Sequence, residues 1–200
     1  MANIGTVIAH MIKLAVTVLC MSFFKDSFSL KVTNQMWAIR AFQLMFIHSI
    51  LGVIRYGNSN TTKRLRNFYE FLTSIIEIVP VAFFTTEVLS KYQTCEELRF
   101  FILALGLAPT TIELSSSTRI RDRSKLELFT NVIVGLQSFA VALICLWYEN
   151  YTGLSLAISF AVARYVSEDF CDKYEVPYVD LSQYSFGFTQ LFALAAIKDV

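Results

Sequence analysis

Leu128-Phe129-Thr130-Asn131-Val132-Ile133-Val134-Gly135-Leu136-Gln137-Ser138-Phe139-Ala140-Val141-Ala142-Leu143-Ile144-Cys145-Leu146-Trp147-Tyr148 carries no charged side chain and ends on two aromatic residues. A helix needs about 20 apolar residues to cross the hydrocarbon core, and Trp and Tyr collect where such a helix meets the headgroups. This stretch is long enough to span and is closed by an interfacial pair, so it reads as a transmembrane helix.

Outward from it, the chain repeats the pattern. Apolar runs cover about 4–24, 36–54, 68–89 and 100–114 before it, and 151–167 and 184–197 after it. Runs 100–114 and 184–197 are short for a crossing of about 17–25 residues. Run 184–197 also contains Gly187 and Gln190, so it either spans or lies in the membrane plane. The expected architecture is all-α: one integral membrane domain over 1–200, a polytopic helical bundle of six or seven transmembrane helices. The run at the N-terminus lacks the basic flank of a cleaved signal and reads as a retained helix.

Composition agrees. Apolar residues make up 55% of the 200 residues and charged residues 16%, with 18 Phe and 9 Tyr. Soluble domains carry about 25% charged residues. A net charge of +1 argues against nucleic acid as a partner. Membrane lipid is the expected surrounding, with further copies of the chain or other membrane subunits as partners. The endoplasmic reticulum and the plasma membrane are the expected locations.

Lys and Arg in short loops set orientation. Arg55, Lys63, Arg64 and Arg66 follow the second run; Arg119, Arg121, Arg123 and Lys125 follow the fourth. Both groups fall on one side if six spans alternate, which predicts a cytoplasmic N-terminus. These loops also suit anionic lipid. Of the two glycosylation motifs, Asn60-Thr61-Thr62 then lies inside, and Asn150-Tyr151-Thr152 lies outside, against the membrane.

Ionisable groups within the runs carry the functional content, because a charge in hydrocarbon is costly and marks a functional site or a pairing. Arg40, Gln43 and His48 give the second helix a broad polar side, while Glu70, Ser74 and Glu77 form a stripe on the third at spacings of four and three. If the two helices match in depth, His48 lies level with Glu77, Arg55 with Glu70, and Arg40 with Thr85 and Glu87. The result is a charge-compensated polar seam. It reads either as a path or site for an ion or polar solute, with His48 titratable near neutral pH, or as interhelical glue. Pro80 and Pro109 are expected to kink their helices, as in helices that line transport sites. His10 and Lys13 form a polar face on the first helix, and Arg164 is expected to reach the cytoplasmic headgroups.

Enzymatic chemistry finds no support. The sequence has no nucleophile elbow, zincin motif or phosphate loop. With two His and four scattered Cys, neither a metal site nor a disulfide framework is expected, and no cofactor is implied. Glu168, Asp169, Asp172 and Glu175 read as a solvated acidic loop. The expected function is to move or sense an ion or small solute, as an oligomer or a subunit. The alternative is a non-transporting assembly, trafficking or structural subunit of a membrane complex.

Overall fold

The computed structural model describes residues 3–25, 27–28, 35–115 and 123–198. The basic residues Arg119 and Arg121 fall outside them. Every regular element among the described residues is a helix: α1 (Ile4–Ser22), α2 (Met36–Gly57), α3 (Lys63–Ile76), α4 (Val79–Lys91), α5 (Glu96–Ser115), α6 (Arg123–Trp147), α7 (Tyr151–Tyr165), α8 (Glu168–Lys173) and α9 (Tyr178–Lys198).

Helix starts are written locally. The side chains of Asn3, Thr62, Asn150 and Ser167 each accept a hydrogen bond from a backbone N–H in the first turn of α1, α3, α7 and α8. Such caps satisfy donors that have no partner within the helix.

Among the described residues, five stretches are long and apolar enough to cross a membrane: α1, α2, the pair α3–α4 over Lys63–Lys91, α5, and α6 from Ser124. The third is not one continuous helix. It breaks at Glu77–Ile78 and resumes at Val79. Pro80 explains the position: it has no N–H for the carbonyl of Ile76, and its ring crowds that turn. In the first turn of α4 the missing N–H costs nothing. Pro109, by contrast, lies inside α5, which continues past it to Ser115.

The chain after α6 is less apolar. α7 has 15 residues, and α9 has 21 where the sequence marked only 184–197. α9 is packed between α1 and α7. It runs parallel to α1: Thr6 Oγ1 donates to Asp180 Oδ1 at 2.7 Å at one end, and Lys198 Nζ stands 4.7 Å from the centre of the Phe24 ring at the other. Gln183, Ser185, Thr189 and Gln190 are buried, so the polarity of α9 faces the protein interior.

Both ends of the bundle are tied. Asn150 Nδ2 donates to Tyr92 Oη (2.6 Å) and to the carbonyl of Ala196 (3.2 Å). Lys91 Nζ donates to that same carbonyl at 2.5 Å. At the opposite end, the Asn3 N–H donates to the Tyr56 carbonyl at 3.2 Å. The apolar core between them includes Phe42, Phe84 and Phe160, from α2, α4 and α7, with ring centres 5.0 and 6.3 Å apart in sequence along that row. α5 reaches α6 through Gly106, where a Cβ would overlap the Gln137 amide. Gln137 Nε2 donates to the Ile102 carbonyl at 2.8 Å.

Candidate functional site

The four polar residues Thr6, His10, Lys13 and Thr17 lie at spacings of four, three and four on α1, and all are at most 1% exposed. That periodicity puts them on one helix face. The face is covered by α2 and α9, and its centre is Lys13, the middle residue of α1.

Lys13 Nζ lies 2.7 Å from His48 Nδ1 and donates to Gln183 Oε1 at 2.5 Å. It also stands 5.4 Å from the centre of the Phe186 ring. One side chain thus joins α1, α2 and α9. His48 Nε2 lies 3.1 Å from Thr73 Oγ1 on α3. Thr73 Oγ1 donates its own hydrogen to the Tyr69 carbonyl, so it accepts from His48. A neutral imidazole carries one N–H. The proton therefore sits on Nε2, and Nδ1 accepts from Lys13.

A second tier adjoins this one. Tyr69 Oη is 2.9 Å from His10 Nε2, and the Tyr69 ring stacks on His48 with centres 4.9 Å apart. The His10 ring lies against Gly52, where a Cβ would overlap it, and is stacked at 5.7 Å on Tyr56. His10 Nδ1 is buried without a hydrogen-bond partner. Nearer the end of the bundle, Arg55 covers Tyr69 at 4.6 Å and pairs with Glu70 at 3.1 Å.

Among the described residues, no carboxylate pairs with Lys13. Carboxylates do pair with Arg elsewhere, in Arg55–Glu70 and Arg164–Glu77. The polar partners of Lys13 are neutral groups on other helices.

A different region forms where the third span breaks. Glu77 Oε2 accepts from Arg164 Nη1 at 2.8 Å, and Arg164 Nε donates to Asn131 Oδ1 at 2.7 Å. Ser74, Glu77, Ile78, Glu113, Leu126, Glu127, Thr130 and Arg164 line an open cavity of about 210 Å³. This corrects one expectation: Glu77 pairs with Arg164 of α7 rather than with His48. The physical reason is one residue of helical phase. The face of α3 that buries against its neighbours carries Tyr69, Leu72 and Ile76, about 100° from the stripe of Glu70, Ser74 and Glu77.

The remaining expected seam residues separate along α2. Arg55 meets Glu70, as depth matching places it. Arg40 donates to Gln43 Oε1 and Gln43 Nε2 to the Ser27 carbonyl, both at 2.7 Å, at the opposite end of α2. Glu87, placed level with Arg40, instead accepts from the Ala38 N–H at 3.2 Å, in the first turn of α2. The helix dipole favours a carboxylate there. Ser74 donates to the Phe71 carbonyl and lines the cavity.

The convergence of Lys13, Gln183, Thr73 and Tyr69 is not expected from the sequence. Its signal is the full stripe Thr6, His10, Lys13, Thr17, of which only the middle pair is ionisable. Among the described residues no group of His, Cys, Asp or Glu is arranged to hold a metal ion.

No protein-family model, curated protein or solved structure matches the chain.

Proposed function

We propose that the chain is a seven-span membrane protein, N-terminus cytoplasmic, that moves or senses an ion or small solute through the polar interior of α1, α2, α3 and α9. The carrying observation is Lys13: fully buried at the middle of a membrane helix, with neutral partners on two other helices. Structural pairing in a membrane places opposite charges together, as Arg164 and Glu77 are placed. A basic group held without a counter-charge is arranged for something that exchanges.

The seventh crossing is supported by α9. Its 21 residues reach about 31 Å at about 1.5 Å per residue, matching a hydrocarbon core of about 30 Å. It runs beside α1 over the length of that helix. Its lower apolarity follows from its interior position, where polar groups meet protein instead of lipid. Orientation rests on the basic residues Lys63, Arg64 and Arg66 at the start of α3.

The test is reconstitution into liposomes loaded with pH- and ion-sensitive dyes. Flux, or a solute-dependent conformational signal, is expected in the unmodified protein and is expected to be lost in Lys13→Gln. A folded, reconstituted protein with neither signal, recovered from its membrane in a stable complex with other subunits, would replace this reading by the assembly-subunit one.

A further inference from the structure

We propose that the exchanged species is the proton: Lys13 and His48 hold one proton between them, and its transfer from Nζ to Nδ1 moves a positive charge from the α9 side of the interior to the α3 side. This rests on the polar interior being the working site, and it names what that site handles.

The geometry offers two stations of the same construction. On Lys13 the proton makes an ammonium with three N–H donors. One faces His48 Nδ1, one Gln183 Oε1, and the charge lies near the Phe186 ring. On His48 the proton makes an imidazolium. Its Nε2–H keeps Thr73 Oγ1, and its ring is stacked on Tyr69. Each station supplies one neutral oxygen acceptor and one aromatic face. Aromatic faces attract cations. A carboxylate at either station would fix the charge there, and among the described residues neither station has one.

The transfer is balanced. The Nζ–H bond breaks and its electron pair stays on Nζ. The lone pair of Nδ1 forms the new N–H, and the total charge is unchanged. The 2.7 Å separation is that of an existing hydrogen bond, so no heavy atom need travel. What changes is the hold on α9. The ammonium engages Gln183 by a charge-assisted bond, which is about twice as strong as a neutral one. A neutral amine loses that assistance and the attraction to Phe186 together.

The surrounding charges leave the pair unpinned. His10 shares α1 with Lys13. Arg55 and Tyr56 lie towards one end of α2, and Tyr69 on α3 touches His48. Glu70 is taken by Arg55, and Asp180 on α9 by Thr6. Glu87 on α4 is engaged at the far end of α2.

The chain has two His, so uniform ¹⁵N-histidine labelling gives two sets of imidazole signals, and His48→Gln identifies one of them. In lipid nanodiscs, the His48 signals of the unmodified protein are expected to move between the Nε2–H neutral form and the imidazolium as the pH is varied. Lys13→Gln removes the competing base, and the proton affinity of His48 is expected to rise by about tenfold or more. Gln183→Glu gives Lys13 a counter-charge and is expected to hold His48 neutral throughout. A single unchanging form of His48 in the unmodified protein overturns the proposal without recourse to any variant. So does a titration that neither substitution moves. Solute flux in liposomes with no titration of His48 would leave the functional reading standing and remove the proton from it. Titration as described, with no flux and no conformational signal, would do the reverse.

Discussion

Lys13 and Arg164 are both basic side chains set into apolar helices, and their surroundings differ in every respect that matters electrostatically. Arg164 meets a carboxylate, keeps 17% of its side-chain surface, and borders an open cavity. Lys13 meets an imidazole, an amide and an aromatic ring, and keeps none. The pair at Arg164 is stable because opposite charges and solvent share the cost of burial. The site at Lys13 is stable only while two neighbouring helices keep neutral acceptors in place. The difference teaches that charge compensation in this bundle is local: the region nearest the cavity has it, and the packed centre does without it.

That contrast can be broken first at Gly52. The His10 ring occupies the space a side chain would need. Gly52→Leu is expected to cost more than about 3 kcal/mol, the upper range for overpacking in a closed interior, measured as lost folded yield and a lower unfolding midpoint in detergent. His10→Ala in the same chain is expected to recover part of it. Full stability of Gly52→Leu alone would mean that the centre is loose, and the comparison would fail.

A smaller effect sharpens it. Gln183→Leu deletes an acceptor of Lys13 and is expected to cost about 2 kcal/mol, within the range for an unsatisfied buried polar group. Glu77→Gln deletes a formal charge, yet its side chain is 35% exposed. Half-open ion pairs contribute about 1 kcal/mol or less, so the charge deletion is expected to be the milder of the two. Denaturation of both variants side by side decides this; the opposite order would show that Lys13 does not depend on α9.

The smallest expected effect concerns salt. Raising ionic strength from about 0.1 M to about 1 M shortens the screening length from about 10 to about 3 Å. The stability difference between Glu77→Gln and the unmodified protein is expected to shrink, while that of Gln183→Leu stays constant. Equal salt dependence would place solvent at both sites.

The apolar runs were legible because lipid imposes one requirement on every residue facing it. α1, α2, α5 and α6 follow from that requirement alone, and the break near Pro80 follows from the missing N–H. The apolar run marked α9 only from residue 184, since the bonding partners of Asp180 and Gln183, Thr6 and Lys13, lie far away in sequence. The candidate site was half visible. His10, Lys13 and His48 stood out as ionisable groups in apolar runs. Which of them meet could not be read, because α3 turns its uncharged face, with Tyr69 and Thr73, toward His48. The acidic stripe drew attention because it is charged, and one residue of phase sends Glu77 to α7.

The bond between Lys13 and Gln183 spans 170 positions of the chain. During synthesis α1 therefore enters the bilayer long before the helix that supplies this acceptor exists. A lysine at the centre of an isolated membrane helix costs about 2.5–3.5 kcal/mol on insertion. α2, with His48 only 35 positions on, is the earliest available relief, so α1 and α2 are expected to enter as a hairpin. Until α9 arrives the pair keeps an open side, where Thr6 and Lys13 lack their acceptors Asp180 and Gln183. The order of assembly is thus written into one hydrogen bond: the interior is not closed until α9 slides in beside α1.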